Sequence, residues 1–223
     1  FSAMRALATS FNDDPQRASR PFNLDREGFV LSEGVGVVIL ERLDQALARG
    51  ATIHAEILGY SSSSDAFHIA MPDPESAGAV RCMRWALEDG RVTTDQIDYV
   101  NAHGTSTPMN DAAETKALKI LFGKRAYELP ISSTKAITGH ALGGAGAIET
   151  IITVKALKNN IIPPTWNYEN PDPNCDLDYV PNAPRTADLN IAMCNSFGLG
   201  GLNASLVLSK YNPDTIATTE KEE

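Results

Sequence analysis

The strongest constraint on the fold is the alternation of strand-like and helix-like segments along the chain. Apolar runs typical of buried strands, at residues 53–62 and 97–100, are followed by helical patterns at residues 77–90 and 111–123. Further strands are predicted at 129–135 and 191–210, with a helix at 146–160 between them. This alternation indicates an α/β layered fold. With 223 residues, the chain is long enough to bury a sizeable core.

The first fifty residues read as the end of one α/β unit. We expect residues 1–28 to be helical at first and then to form a loop over residues 12–28, which are rich in Pro, Asp and Asn. Residues 29–41, "FVLSEGVGVVILE", predict one or two buried strands, with glycines where backbones approach closely. Residues 42–50 predict a short amphipathic helix, and the acidic residues 212–223 predict a disordered tail.

Charge and composition argue against several classes of main partner. The formal net charge of −9 argues against nucleic acid and against an anionic membrane surface, since both favour a positive protein field. No apolar run approaches the roughly 20 residues of a membrane helix. The three cysteines have no CxxC spacing, which favours a reducing compartment over a disulfide framework.

Two histidines, His103 and His140, stand out by their setting. Each lies just beyond a predicted strand and beside a glycine. Ligands of open α/β sheets bind outside the carboxyl ends of strands, so both are candidates for one pocket. A single histidine is more often structural, and a zinc site needs three or four closely spaced ligands that the chain does not supply. Two neutral imidazoles can instead donate hydrogen bonds to a developing oxyanion, with Lys135 supplying a positive field.

Hydroxyl residues follow His103 directly. Thr105, Ser106 and Thr107 are suited to bind an amide-bearing ligand, and equally suited to cap the helix that follows. The glycines of "GHALGGAGAIE" match neither phosphate-binding pattern, so close packing of a helix is the favoured interpretation.

Three ordered motifs resemble one known family. "NAHGTSTPMNDAAE", "SSTKAITGHALGGAGAIE" and "CNSFGLGG" are similar to the C-terminal half of the elongating β-ketoacyl-acyl-carrier-protein synthases of the synthase II type, and the resemblance covers residues 1–211. It implies a thiolase-like fold of five layers, αβαβα, usually as a homodimer. Residues 1–50 would end the N-terminal half, residues 51–211 would form the C-terminal half, and 212–223 would be the tail.

The resemblance also implies a reaction. The family transfers an acyl group from acyl carrier protein to a cysteine, decarboxylates malonyl-carrier protein, and joins the two as a 3-oxoacyl product. It implies no dissociable organic cofactor and no metal, although a structural monovalent cation near Asn101, Glu149 and Asn195 fits the family. Bacterial cytoplasm, mitochondrial matrix and plastid all host such enzymes, so a secreted location is not expected.

Site residues follow from the matching motifs. His103 and His140 would hydrogen-bond the malonyl thioester oxygen, and Lys135 would support the histidines electrostatically. Thr105 and Thr107 would contact the pantetheine arm. In the glycine-rich loop the candidates are Phe197, Gly198 and Leu199, and the backbone amide of Phe197 would contribute to an oxyanion hole. Three further residues, Glu149, Asn195 and Asn101, would support the site structurally.

Two departures from the family pattern limit the assignment. None of Cys82, Cys175 and Cys194 has the setting of the family nucleophile, so we expect all three to be structural. We therefore expect the chain to begin after the nucleophile elbow. For the same reason we expect that the isolated chain does not condense acyl groups. Leu199 replaces the phenylalanine of "SFGFGG", which predicts a shifted range of acyl lengths.

Two alternative functions stay open. A condensing domain of a polyketide synthase usually reads "EAHGTGT" and "GDPIE", whereas this chain reads "NAHGTST" and "NDAAE". A non-catalytic partner resembling a chain-length factor would explain the missing nucleophile, but it has no chemical need of His103, His140 and Lys135.

Overall fold

The computed structural model describes residues 1–213. The predicted tail at 212–223 lies, from residue 214 onward, outside the described residues. The helices and strands are, in chain order, α1 Leu43–Ala48, β1 Ala55–Ser64, α2 Ala77–Asp89, β2 Tyr99–Asn101, α3 Pro108–Phe122, β3 Ile131–Ser132, α4 Lys135–Thr138, α5 Ala145–Asn159, β4 Ile161–Ile162, β5 Arg185–Thr186, β6 Ile191–Gly198 and β7 Leu202–Lys210. Short 3₁₀ helices occupy Ser2–Met4, Pro15–Arg17, Thr94–Gln96, Gly123–Tyr127, Leu142–Gly144 and Leu199–Gly201.

The main sheet has five strands in the order β1-β7-β6-β2-β3. The first three are antiparallel neighbours, whereas β6, β2 and β3 run parallel. β4 and β5 form a separate two-stranded antiparallel sheet that the sequence did not indicate. The mixed sheet with helices between its strands confirms the predicted α/β class.

The two faces of the sheet carry separate apolar cores, as the alternation of side chains along a strand requires. On β6, Met193 packs with Met83 of α2 and Leu118 of α3 in one core. Its neighbour Cys194 packs in the other core, which contains Leu157 of α5. The chain therefore builds three layers, with α2 and α3 on one face and α5 on the other.

The start of α3 is fixed by local chemistry. Thr107 is the N-cap residue, and its hydroxyl accepts a hydrogen bond from the backbone N–H of Asn110 at 3.3 Å. Pro108 occupies the first helical position, where its fixed φ and missing N–H cost nothing. The helix ends at Gly123, with φ of +57°. These signals hold the segment 103–107 between β2 and α3 in one conformation.

The prediction of buried strands at 29–41 is wrong. Within the described residues this segment makes only isolated bridges at Phe29 and Leu31, and both Val35 and Ile39 are 83% exposed. Its apolar composition and glycines are those of a buried strand, but no strand of the described chain lies alongside it to complete a sheet. The glycine prediction holds, because a Cβ at Gly36 would lie 2.9 Å from Ala147.

The opening helix is also wrong beyond a single 3₁₀ turn at Ser2–Met4. The predicted loop is confirmed: apart from the 3₁₀ turn at Pro15–Arg17, residues 14–26 are irregular and pack against the segment 165–175, where Asn23 accepts from the backbone N–H groups of Glu169 and Asn170. Among the described residues, no helix combines the length and apolar composition needed to cross a membrane.

Candidate active site

The structure brings His103 and His140 together. Their ring centroids lie 5.3 Å apart, and the ring planes are nearly perpendicular, at 81°. His103 follows the carboxyl end of β2, and His140 follows α4, which begins where β3 ends. Because β2 and β3 are parallel neighbours, their carboxyl ends share one edge of the sheet. The strand-end rule applied to the sequence therefore predicted this proximity correctly.

His103 is held from its backbone as well as its ring. The backbone N–H groups of His103 and Gly104 donate to the two carboxylate oxygens of Glu114 at 2.9 and 2.8 Å. Gly104 has φ of +38°, and a Cβ there would lie 2.4 Å from the Cβ of Ser133. The Ser133 hydroxyl donates to the Gly104 carbonyl at 2.6 Å. These contacts fix the backbone conformation of His103 and Gly104 directly after β2.

Lys135 is a buried cation beside His103, with only 1% of its surface exposed. Its ammonium donates to the His103 carbonyl at 2.7 Å, lies 3.4 Å from His103 Nδ1, and pairs with the carboxylate of Glu149. These three acceptors match the three N–H donors of an ammonium group. The Ser19 hydroxyl donates to the Lys135 carbonyl at 2.6 Å. Lys135 is therefore part of the site and not a solvated surface lysine.

His140 is fixed by the N-terminal segment and by its own turn. Its backbone N–H donates to the Val30 carbonyl at 2.8 Å, and its carbonyl accepts from Ser32 N–H at 3.1 Å. The Phe29 ring lies 5.2 Å from the imidazole, edge to face. His140 Nδ1 accepts the backbone N–H of Leu142 at 3.2 Å.

Both imidazoles are neutral near pH 7. Burial lowers the pKa of His103 well below its usual value, and the positive charge of Lys135 lowers it further. Burial and the Lys135 charge likewise lower the pKa of His140 to about 4. In each ring Nδ1 faces a donor, Lys135 or the Leu142 amide, so the single proton of the neutral ring is on Nε2. The site therefore offers two Nε2–H donors.

The hydroxyl pair lies just beyond the histidines. The Oγ1 atoms of Thr105 and Thr107 are 2.9 Å apart, and Thr105 is buried while Thr107 is half-buried. Because Thr107 also caps α3, the capping interpretation holds for this residue. A cap uses one acceptor position of the hydroxyl, so ligand contact by the pair is compatible with it.

The glycine-rich loop approaches the same edge. The Phe197 ring lies 6.0 Å from that of His103. On β6 and β7 hydrogen-bonded pairs alternate with pairs that are not hydrogen-bonded. The backbone N–H of Lys210 donates to the carbonyl of its partner Asn190, so the pair Phe197–Asn203, an odd number of residues further along, is not hydrogen-bonded. The backbone N–H of Phe197 therefore points away from β7. Gly198 is exposed, and Leu199 is 51% exposed at the tip of the loop.

The three predicted supporting residues do not form one cluster. Asn101 donates to Thr153 at 3.0 Å and to the Glu149 carbonyl on the face covered by α5. Asn195 lies on the opposite face, where its amide contacts the sulfur of Met83 and accepts from the Ser205 hydroxyl. Asn195 is on the other side of the sheet because neighbouring β6 residues point to opposite faces. Asn101 Oδ1 and Glu149 Oε2 are buried without a hydrogen-bond partner among the described residues. The expected cation near the three residues stays a prediction. No cluster of three or more His, Cys, Asp or Glu side chains suited to a metal occurs in residues 1–213.

All three cysteines are buried and free. Burial raises the pKa of the Cys82 thiol, and raises the pKa of both Cys175 and Cys194 to about 12. A nucleophilic cysteine needs the reverse, a lowered pKa in an exposed, electropositive setting. The structure thus agrees with their structural interpretation.

Sequence reasoning missed two residues of the site's support. Glu114 lies in the second turn of α3, where its carboxyl group accepts the backbone N–H groups of His103 and Gly104, and burial raises its pKa to about 7. Arg26, within the predicted loop, donates to the Thr107 carbonyl from 81 residues away. The sequence signal for Glu114 was its spacing from Asp111, because residues one turn apart share a face of a helix. The groups that Glu114 and Arg26 bind at the site are backbone groups, which no residue pattern identifies.

Comparison with protein-family models decides the family. The model described as "Beta-ketoacyl synthase, C-terminal domain" matches residues 54–169, just over half of the chain, and "Beta-ketoacyl synthase, N-terminal domain" matches residues 1–46. The chain belongs to the beta-ketoacyl synthase family. The family resemblance drawn from the motifs is confirmed.

Individual relatives agree with this membership. A protein of Synechocystis sp. named 3-oxoacyl-[acyl-carrier-protein] synthase 2 is 52% identical over 211 residues, which cover 95% of this chain and 50% of that protein. A ketosynthase solved with its type II polyketide acyl-carrier protein matches with a TM-score of 0.93 at 38% identity, over 95% of this chain and 52% of that one. A beta-ketoacyl synthase from Burkholderia phymatum matches with a TM-score of 0.87 at 40% identity, over 95% and 51%.

These structural matches confirm the thiolase-like ketosynthase fold. The chain spans about half the length of the relatives that it matches. The domain boundary near residue 50 stays a prediction.

Proposed function

We propose that this chain is the C-terminal, donor-activating part of a 3-oxoacyl-[acyl-carrier-protein] synthase of fatty-acid synthesis. The observation that carries the proposal is the pair of imidazoles 5.3 Å apart, each with Nδ1 facing an N–H donor. Burial lowers the pKa of both rings, so each is a neutral donor through Nε2. Two N–H donors that meet at one point stabilise an oxygen on which negative charge develops. The relatives named 3-oxoacyl-[acyl-carrier-protein] synthase 2 support this choice of reaction.

In the proposed reaction the histidine pair acts on malonyl thioester. The thioester oxygen accepts hydrogen bonds from Nε2–H of His103 and of His140. The bond between the malonyl C2 and its carboxyl group breaks, carbon dioxide leaves, and the electron pair moves to form an enolate whose charge rests on that oxygen. C2 then attacks the carbonyl carbon of an acyl thioester, a carbon–carbon bond forms, and the carbon–sulfur bond breaks so that the thiolate leaves and the 3-oxoacyl product remains.

The other site residues have supporting roles. Burial, with the charge of Lys135 added to it, lowers the pKa of His103 and keeps the ring neutral. Lys135 also holds the ring in the Nε2–H form, and Glu149 balances the lysine charge. Thr105 and Thr107 bind an amide of the pantetheine arm. The Phe197 amide donates to the oxygen of the acyl thioester, and Gly198 and Leu199 border the approach to it.

The partners and location are part of the proposal. Acyl and malonyl carrier proteins deliver the substrates, as one matched ketosynthase binds its acyl-carrier protein. We expect a homodimer, as the family resemblance implies. We expect a cytoplasmic location, because the reported relatives are bacterial and so give no support to an organelle. The acyl group is held by a nucleophile outside this chain, because the three cysteines are buried with raised pKa.

Polyketide condensation is the second candidate, favoured by the match to a type II polyketide ketosynthase at 38% identity. The 52% identity to a 3-oxoacyl-carrier-protein synthase favours fatty-acid synthesis. A scaffold without catalysis is disfavoured by the retained histidine pair and buried Lys135.

The test uses the enzyme expressed from the complete reading frame that contains this chain. It measures carbon dioxide release and 3-oxoacyl product from malonyl-carrier protein and acyl-carrier protein. His103→Gln and His140→Gln are each expected to slow release about 10²–10³-fold. His54→Gln, at an exposed histidine, is the control and is expected to have no effect. Unchanged release in both site variants would contradict the proposal, as would transfer of a labelled acyl group to residues 1–223 alone.

A further inference from the structure

Arg26 links the N-terminal segment to the start of α3. Its side chain is 4% exposed. Nε donates to the Thr107 carbonyl at 3.1 Å and Nη2 to the Pro108 carbonyl at 3.0 Å. Nη1 donates to the Asn23 carbonyl at 2.9 Å and to Asp172 Oδ2 at 2.6 Å. The planar guanidinium thus holds two consecutive carbonyls of one helix start.

Helix stability does not account for this placement. A cation at the N-terminus of a helix opposes the helix dipole, which favours negative groups there. The structure compensates with two carboxylates, Asp111 at 3.6 Å and Asp172 at 2.6 Å. What the arginine adds is geometric, because its fixed fork sets the positions of the carbonyls of Thr107 and Pro108.

Those carbonyls control the hydroxyl pair. Thr107 carries both the carbonyl held by Arg26 and the hydroxyl that lies 2.9 Å from that of Thr105. A shift of this backbone would move the Thr107 hydroxyl and separate the pair.

We propose that Arg26 is a positioning residue that holds the Thr105–Thr107 hydroxyl pair in place for the pantetheine arm of the substrate. The proposal rests on the proposed function, in which this pair binds the arm. It assigns to the N-terminal segment a part in donor binding.

The test is steady-state kinetics of the complete enzyme with malonyl-pantetheine as donor. Arg26→Lys keeps the charge but loses the fork, and it is expected to raise KM about ten-fold, as for the loss of one or two hydrogen bonds, with kcat changed by less than about two-fold. Arg185→Lys makes the same change at the Arg185–Asp178 pair and is expected to leave KM unchanged. A fall in kcat or in Tm with unchanged KM would assign Arg26 a purely structural role and overturn the proposal.

A double-mutant cycle separates the two levels of the argument. If Arg26 acts through Thr107, Arg26→Lys adds nothing to the KM of Thr107→Val. If the two effects multiply, or if only Thr107→Val raises KM, the Arg26 proposal fails and the proposed function stands. If Thr107→Val itself leaves KM unchanged, arm binding by the pair is wrong and the Arg26 proposal falls with it.

A gentler variant covers the case in which Arg26→Lys does not fold. Asp172→Asn keeps the arginine and weakens its anchor, and it is expected to raise KM about three-fold with kcat unchanged. An unchanged KM in Asp172→Asn would then overturn the proposal.

Discussion

His140 Nδ1 accepts a hydrogen bond of 3.2 Å from the backbone N–H of Leu142, a residue in the left-handed region with φ of +50°. A non-glycine residue in this region costs free energy, so the surrounding turn must maintain it. The contact leaves Nε2 as the protonated nitrogen of the neutral ring. A short turn therefore determines which edge of His140 is a donor, as the Lys135 ammonium does for His103.

The lowered histidine pKa values predict a pH-dependent stability. Between pH 6.5 and about 4 the unfolded chain binds a proton on His140 that the folded chain does not, so the free energy of unfolding falls as pH falls. The slope reaches up to about 1.4 kcal/mol per pH unit for each such histidine. Burial raises the pKa of Glu114 to about 7, which acts in the opposite direction over this range.

Comparison with His140→Gln isolates the histidine, because Glu114 contributes to both proteins. Denaturant unfolding at a series of pH values is the measurement. Wild type is expected to lose stability relative to the variant as pH falls. Parallel curves would show that His140 titrates normally in the folded protein.

The buried pair of Lys135 and Glu149 predicts a separation of stability from activity. Lys135→Met leaves a carboxylate buried without its cation, which costs about 3–5 kcal/mol. Adding Glu149→Leu removes that carboxylate and is expected to recover most of the loss, as measured by chemical denaturation. Decarboxylation is expected to stay low in both variants, because the group that fixes the His103 tautomer is absent. Full activity in the double variant would show that Lys135 serves folding alone.

The path of the chain after His103 predicts different responses from two glycines. A Cβ at Gly104 would meet Ser133 at 2.4 Å in a backbone with φ of +38°, whereas one at Gly143 would meet nothing within 4 Å. Gly104→Ala is expected to lose about 2 kcal/mol or more of stability and to displace His103. Gly143→Ala is the matched control, with near-native unfolding. Equal unfolding free energies for the two variants would contradict the clamp on Gly104.

Leu199 predicts a shifted acyl-length range. The family resemblance implies phenylalanine at this position, in "SFGFGG", and Leu199 is 51% exposed at the tip of the glycine-rich loop. A smaller, more flexible side chain restricts the acyl pocket less than an aromatic ring. Product chain lengths of the complete enzyme and of Leu199→Phe, with a series of acyl primers, are the measurement. Identical profiles would remove Leu199 from the specificity determinants.

Local patterns were sufficient for much of the fold. The helices α2, α3 and α5 and the strands β1, β2, β6 and β7 follow from apolar periodicity and from glycine and proline signals. The segment 29–41 was misread because a strand is completed by neighbours distant in sequence, and the described chain provides none there. For the same reason the short β4–β5 sheet escaped notice.

The site divides in the same way. The proximity of His103 and His140 was predictable, because parallel strands end at one edge. The support by Glu114 and Arg26 was not, because most of their partners are backbone groups. The side of the sheet on which Asn195 lies was not predictable, because the face of a residue depends on strand register, which motifs do not contain.

The most direct test of the account is the protonation state of the two imidazoles at pH 7, read from the ring nitrogens by long-range ¹H–¹⁵N NMR, with His103→Gln and His140→Gln assigning the signals. The account predicts that both rings are neutral with the proton on Nε2. A charged ring, or a proton on Nδ1 of either histidine, would leave no pair of donors for one thioester oxygen and would contradict it.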